Sequence, residues 1–206
     1  MRIGTHEVGN GASTYVIAEM SANHAGDINR AKEIIHAAKE AGADCIKIQT
    51  YTPDTLTIDC DNKYFHISDG TWNGENLYKL YEKAYTPWEW QQELFNEAKK
   101  CGIDFFSTPF DKTAVDFLEK LGVGFYKIAS FEIVDIPLIE YVASKDKPII
   151  MSTGMATLTE IDEAVTTIRK YGNNNLILLR CASAYPAITD QMNLKIIFIN
   201  YHLKMY

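Results

Sequence analysis

The chain predicts a parallel α/β fold, a TIM-type (β/α)8 barrel that is incomplete, with about six βα units present. Three observations carry that expectation. Six short apolar runs end in reactive or hydrogen-bonding side chains: Ile17-Ala18-Glu19, Lys47-Ile48-Gln49, Ser107-Thr108, Lys127 to Ser130, Ser152-Thr153 and Ser183-Ala184-Tyr185. A helix-start signal follows almost every run, and short-range alternation of strand and helix implies parallel pairing through right-handed crossovers. Functional groups also fall at the end of every strand rather than at one switch point, which favours a barrel over a doubly wound sheet. No Gly-x-Gly-x-x-Gly follows the first run and no P-loop lysine motif occurs, which disfavours the nucleotide-binding versions of the alternative.

Tyr15 to Ala18 is the first strand. Asp27 then N-caps a helix with Ala31, Ile34, Ile35, Ala38 and Ala41 on one face, stopped at Gly42. Cys45 to Ile48 begins the second strand. The stretch from Thr50 to Tyr85 is aromatic with little periodicity, and loops that long are often functional. Thr86-Pro87-Trp88-Glu89 reads as a capping box with proline at the first helical position, opening a helix that ends near Cys101-Gly102. Phe105-Phe106 is the third strand core, before a helix from about Asp111 through Ala114, Val115, Leu118 and Leu121 to Gly122. Phe125 to Ala129, a helix around Pro137 to Ser144, and Pro148 to Met151 follow. Thr157-Leu158-Thr159-Glu160 is a second capping box, opening a helix with Ile161, Ala164, Val165 and Ile168, and Leu176 to Leu179 is the sixth strand.

The chain has 206 residues, enough for a substantial core, and its formal net charge of −7 argues against a general binder of nucleic acid or anionic membrane. A few lysines focused in one cleft would still hold an anionic substrate. Cys45, Cys60, Cys101 and Cys181 form no Cys-x-x-Cys pair and read as reduced thiols, which suits a cytoplasmic protein. The N-terminus has no apolar signal-peptide core, and no apolar run approaches the roughly 20 residues of a membrane span.

Residues 1–190 read as the barrel segment. Residues 191–206 break the pattern: Met192 to Tyr206 has neither helix nor strand periodicity and is dominated by residues with A/T-rich codons. The expectation is an aberrant tail, as an off-frame read with premature termination would give. A genuine seventh strand at Ile196 to Ile199 is the alternative. A complete barrel takes about 250 residues.

Side chains alternate along a strand, so Lys47 and Gln49 share a face. A lysine directed under a helix without a partner would cost several kcal/mol, roughly, so Lys47 and Lys127 are expected at the strand-end mouth. With Thr108, Ser130 and Ser152 they suit a phosphate or carboxylate; structural ion pairing with Glu19 or Glu132 is the alternative. Glu19, followed by Ser21-Ala22-Asn23-His24, is a candidate proton-transfer group or water orienter. His24 is read as loop-structural rather than as a metal ligand. His6, His36, His66 and His202 show no ligand spacing, so no metal site is expected from spacing. A Schiff-base role for Lys127 competes with the anion site, and the surrounding hydroxyls favour the latter.

Several blocks resemble the sialic acid synthase family. They are Ile17-Ala18-Glu19-Met20-Ser21-Ala22-Asn23-His24, Ala43-Asp44-Cys45-Ile46-Lys47-Ile48-Gln49-Thr50-Tyr51 and Phe106-Ser107-Thr108-Pro109-Phe110-Asp111. Tyr126 to Glu132, Ile150 to Met155 and Ala184-Tyr185-Pro186 join them, in the family's order over roughly residues 10 to 190. Tyr85 to Trp90 and Lys127-Ile128-Ala129-Ser130-Phe131-Glu132 look most like the pseudaminic branch. The resemblance implies condensation of phosphoenolpyruvate with an acetamido-deoxy hexose, 2,4-diacetamido-2,4,6-trideoxy-altrose in that branch. The product is a nine-carbon 2-keto sugar acid, with release of phosphate. N-acetylneuraminate or legionaminate synthesis, or a non-catalytic remnant, are the alternatives.

By the same resemblance, Lys47, Thr108, Lys127, Ser130 and Ser152 match phosphoenolpyruvate-binding positions, and Ser183 stands where neuraminate enzymes commonly carry asparagine. Glu19, Gln49 and Tyr185 match positions at the sugar or the reacting centre. Trp72, Asn73 and Asn76 lie in the loop of sugar contacts, where the aromatic ring is expected to accept the 6-deoxy methyl. The family implies manganese or magnesium held by two histidines on the seventh and eighth strand regions, a C-terminal antifreeze-like domain and a homodimer. None of those histidines matches a residue here, the antifreeze-like domain is expected to be absent, and impaired turnover is the expectation.

Overall fold

The computed structural model describes residues 1–9, 11–183 and 187–197. Two units divide the chain, Met1–Gly124 and Phe125–Tyr206. The first opens with a small antiparallel hairpin, β1 (Arg2–Ile3) and β2 (His6–Glu7), which short-range pattern did not reveal. The strand β3 (Ile17–Glu19) follows, then α1 (Ile28–Glu40), β4 (Cys45–Thr50), α2 (Pro53–Leu56), α3 (Leu77–Ala84), α4 (Trp88–Cys101), β5 (Asp104–Pro109) and α5 (Lys112–Leu121). β3, β4 and β5 pair in parallel, in that order. The second unit runs β6 (Tyr126–Ile128), α6 (Ile136–Ala143), β7 (Ile149–Ser152), α7 (Leu158–Lys170) and β8 (Leu176–Leu179), again with sequential parallel pairing.

Local chemistry explains most boundaries. The Asp27 carboxylate accepts from the Asn29 N–H at 2.8 Å and starts α1, which buries Ala31 and Ile35. Asp111 caps α5 through the Ala114 N–H at 2.6 Å, and α5 buries Ala114, Val115, Leu118 and Leu121 as its spacing predicts. Thr157 and Glu160 form the expected capping box: Glu160 accepts from the Thr157 N–H and hydroxyl, while the Thr157 hydroxyl accepts from the Glu160 N–H.

The other expected capping box does not form. Pro87 is the N-cap of α4 and provides no side-chain cap, while Thr86 Oγ1 lies 3.3 Å from His24 Nε2. Thr86 is spent on tertiary tethering, which a local motif cannot show. The stretch from 50 to 85 is also more structured than its weak periodicity implied. It contains α2, 3₁₀ turns at Lys63–Phe65 and Gly70–Trp72, and α3. In the tail, Ile196 and Ile197 make turn-type hydrogen bonds to Asn193 and Leu194, not ladder bonds, so the first half of the alternative seventh strand is not extended. Residues 198–206 lie outside the described residues.

Face assignment in the first unit follows from partners on both sides of the strands. Phe105 stacks edge-on against Phe95 of α4 at 5.6 Å, and Thr50 donates to Gln91 of the same helix at 2.8 Å. Those residues therefore face the helices, and alternation turns Lys47, Gln49, Phe106 and Thr108 to the opposite face. The parallel register sets Glu19 beside Lys47 and Gln49 beside Thr108.

Below the strands, the β1–β2 hairpin is pinned by one carboxylate. Asp104 accepts from the Thr5 N–H at 3.1 Å and from the Tyr15 hydroxyl at 2.8 Å, and lies 3.2 Å from His6 Nδ1. Gly4 sits at φ +51, and a Cβ there would run into the Asp104 carboxylate. Only glycine fits both the turn and that close approach.

Candidate active site

The functional groups of the first unit gather at the carboxyl ends of β3, β4 and β5. Lys47 forms an ion pair with Glu19 and donates to Thr108 Oγ1 at 3.2 Å. The Glu19 carboxylate also accepts from the Ser21 N–H at 2.9 Å, and the Ser21 hydroxyl donates to Gln49 Oε1 at 3.4 Å. The alternative of structural ion pairing with Glu19 is thus present, and the Lys47 ammonium also lies beside the Thr108 hydroxyl. Ser21 adopts φ +47 and Ala25 φ +50, the left-handed region that costs a non-glycine residue about 1–2 kcal/mol. Strain in this loop aims the Ser21 N–H at Glu19, a role its position alone did not reveal.

His24 fixes the same loop from beneath. The ring is fully buried, packs edge-on against Trp90 at 5.7 Å and accepts from the Gly26 N–H through Nδ1 at 3.1 Å. With Nδ1 accepting, Nε2 carries the proton and donates to Thr86 Oγ1. This is the structural role expected of His24. Burial lowers its pKa below the usual 6.5, so the folded state holds it neutral. A depressed folded pKa gives stability that is present above about 6.5 and lost as pH falls through the folded value. Wild type should therefore lose more stability than His24→Gln between pH 7.5 and 5.5. Parallel urea midpoints for the two proteins over that range would count against it.

A buried hydroxyl chain ties this floor to α4. Thr50 and Ser107 hydroxyls lie 2.6 Å apart, Ser107 donates to the Ile48 carbonyl at 3.2 Å, and Gln91 Nε2 donates to the Thr86 carbonyl at 3.3 Å. Satisfied networks of this type fix one arrangement of a core.

The second unit carries its own cluster. Lys127, 6% exposed, donates to Ser152 Oγ at 2.5 Å and to the Ile128 carbonyl at 2.6 Å. That amine is engaged as a donor, which suits anion holding better than a nucleophile that must present a lone pair. Glu132 Oε2 is buried without a hydrogen-bond partner. Burial raises the Glu132 pKa, with a local backbone hydrogen bond and the charge of Lys127 pulling it back. The Cys181 thiol donates to Ser152 Oγ at 3.1 Å, a contact that sequence spacing did not reveal.

Ser130 Oγ accepts from the Gly154 N–H at 3.3 Å. A Cβ on Gly154 would collide with the Ser183 hydroxyl and come within 2.8 Å of Ser130 Oγ, so both expected hydroxyls converge over that glycine. Gly154→Ala should displace both and weaken anion binding roughly tenfold, the value of one hydrogen bond to a charged ligand. Titration with phosphoenolpyruvate checks it, and unchanged affinity would remove Ser130 and Ser183 from the ligand.

In the long loop, Asn73 is exposed and Trp72 is 42% exposed. Asn76 is buried: its Oδ1 caps α3 at the Lys79 N–H, and its Nδ2 donates to the Cys60 carbonyl at 2.9 Å. Its amide thus holds the loop, while Asn73 stays exposed. Tyr185 lies outside the described residues. Among the described residues, the only group of three metal-capable donors is His36, Glu97 and Cys101, on α1 and α4 and not at these strand ends. The residues described here therefore do not fit the divalent ion that the resemblance implies.

A strand-end row of carboxylate, ammonium, amide and hydroxyl groups on parallel βα units is the arrangement in which TIM-barrel enzymes gather their functional groups. The NeuB family model matches residues 34–201, and the chain belongs to that family. It is 50% identical over 179 residues to the pseudaminic acid synthase of Helicobacter pylori, covering 87% of this chain and 53% of that protein. It is 39% identical over 191 residues to the N,N'-diacetyllegionaminic acid synthase of Legionella pneumophila, covering 91% and 54%. The chain spans about half the length of these relatives. Among solved structures, the N-acetylneuraminic acid synthetase of Leptospira borgpetersenii superposes with a TM-score of 0.84 at 32% identity, covering 97% of this chain and 65% of that one. The fold is of the TIM-barrel type, with six parallel strands among the described residues.

Proposed function

We propose that this chain carries the phosphoenolpyruvate-binding part of a synthase joining phosphoenolpyruvate to 2,4-diacetamido-2,4,6-trideoxy-altrose. The product is a nine-carbon 2-keto sugar acid plus phosphate. The observation that carries the reading is the 50% identity to a pseudaminic acid synthase, against 39% to a legionaminic acid synthase. In the reaction, C3 of phosphoenolpyruvate bonds to the aldehyde carbon, whose oxygen takes a proton. Water adds at C2, and the C–O bond to phosphate breaks.

Lys47, Thr108, Lys127, Ser130 and Ser152, with Ser183, are assigned to the phosphate and carboxylate, because charge-assisted donors of this kind bind anionic oxygens most strongly. Glu19 moves a proton or orients the water, and Gln49, Asn73 and Tyr185 contact the sugar. The Trp72 ring takes the 6-deoxy methyl. Four free cysteines support a reducing cytoplasmic setting, and no described helix is long and apolar enough to cross a membrane.

The test is phosphate release from phosphoenolpyruvate with the altrose-configured sugar, set against N-acetylmannosamine, in manganese or magnesium buffer, with calorimetric phosphoenolpyruvate binding alongside. Release with the altrose sugar alone supports the full reading. Equal release with N-acetylmannosamine removes the sugar assignment. Binding without release confines the chain to substrate holding, and no binding at all removes the proposal.

A further inference from the structure

His36, Glu97 and Cys101 meet on the outer surface of the first unit, at the opposite end of the strands from Lys47 and Thr108. Glu97 and Cys101 stand four residues apart on α4 and so share a helical face. His36 comes from α1, which runs alongside, with Lys32 paired to Glu93 one turn earlier at 2.5 Å. His36 Nε2 is 3.0 Å from Glu97 Oε1 and 3.9 Å from Cys101 Sγ, and all three donor atoms lie within 4.8 Å of one another. Tetrahedral zinc with ordinary bond lengths needs donor separations of about 3.4 Å for nitrogen to oxygen and about 3.6 Å for nitrogen to sulfur. The two separations from His36 Nε2 reach those values with shifts of a few tenths of an ångström, and the Glu97 and Cys101 donors lie within 4.8 Å of each other.

The surroundings also favour a cation. α4 ends at Cys101 and α1 at Glu40, so the carboxyl ends of two helices, each carrying partial negative charge, flank the cluster. Glu40 lines the same open depression, as do Lys39 and Lys100. Lys39 donates to the Gly102 carbonyl at 2.8 Å. Lys100 pairs with Glu97 at 3.0 Å, with its side chain 73% exposed to solvent. We propose that His36, Glu97 and Cys101 form a binding site for a borderline-soft divalent cation of the zinc class, water completing the coordination. On binding, Cys101 gives up its thiol proton to solvent and the metal replaces Lys100 at Glu97. Imidazole, carboxylate and thiolate together select zinc or cobalt over magnesium.

The experiment is titration of chelator-stripped protein with cobalt(II). One equivalent should produce a thiolate-to-cobalt charge-transfer band and the intense visible bands of tetrahedral cobalt, both bleached by zinc. Cys101→Ser should abolish the charge-transfer band, Cys60→Ser should keep it, and His36→Gln should weaken cobalt binding at least roughly tenfold. No band in wild type overturns the proposal, as does a band that survives in Cys101→Ser. If Cys101→Ser does not fold, His36→Gln decides, and unchanged cobalt affinity in that variant overturns the site.

Discussion

Lys47→Met is expected to weaken phosphoenolpyruvate binding by roughly a hundredfold, about 3 kcal/mol, the scale for losing one largely desolvated charge contact. The lysine side chain is only 13% exposed and is held by Glu19 and Thr108, so little reorganisation offsets its loss. The variant also leaves Glu19 without its cation, and that carboxylate then repels the incoming anion. Glu19→Gln should behave oppositely: phosphoenolpyruvate binds at least as tightly as in wild type, while phosphate release falls. Calorimetric titration of the two variants makes the comparison. A Lys47→Met affinity within threefold of wild type would show that the anion sits elsewhere.

The second large effect is on stability. Phe106→Ala should cost about 3–5 kcal/mol, the range for emptying a buried aromatic site. Phe106 is fully buried and shares its strand face with Thr108, two residues on, whereas its neighbour Phe105 stacks on Phe95 of α4. It is thus the apolar layer beneath the polar strand ends. Phe106→Leu, which keeps much of the volume, should cost less than about 1.5 kcal/mol. Urea unfolding of both variants measures this, and a loss below 1 kcal/mol for the alanine would place Phe106 outside the core.

Much of this was legible in the sequence because the signals are local. The Asp27 cap, the helix start near Asp111 and the Thr157–Glu160 box follow from short-range chemistry, and each forms, whereas the sixth strand ends at Leu179, short of Ser183. Lys47 and Gln49 share a face because strands alternate, and the Thr50–Gln91 bond on the other face is the physical counterpart. What stayed hidden depends on partners distant in sequence. The Thr86 hydroxyl is claimed by His24, 62 residues away, so the local capping motif was overridden. His36 meets Glu97 and Cys101 only because two helices lie side by side, which no ligand spacing encodes. The β1–β2 strands are two residues each, too short for a periodic signal, and are held by Asp104 instead.

The long loop between β4 and α4 has a consequence for how such a protein diversifies. Its shape is set from within: Asn76 donates to the Cys60 carbonyl, the Gly74 N–H donates to the Ile67 carbonyl and the Ile67 N–H to the Glu75 carbonyl, and His66 and Asn76 form an isolated antiparallel β-bridge. Insertions or exchanges there change what the loop presents without shifting strand register, whereas one residue added to β4 would swap Gln49 with Thr50 and destroy both faces at once. Under the proposed function, new sugar preferences are open to evolution, or to loop grafting between relatives, with the strand-end groups left in place.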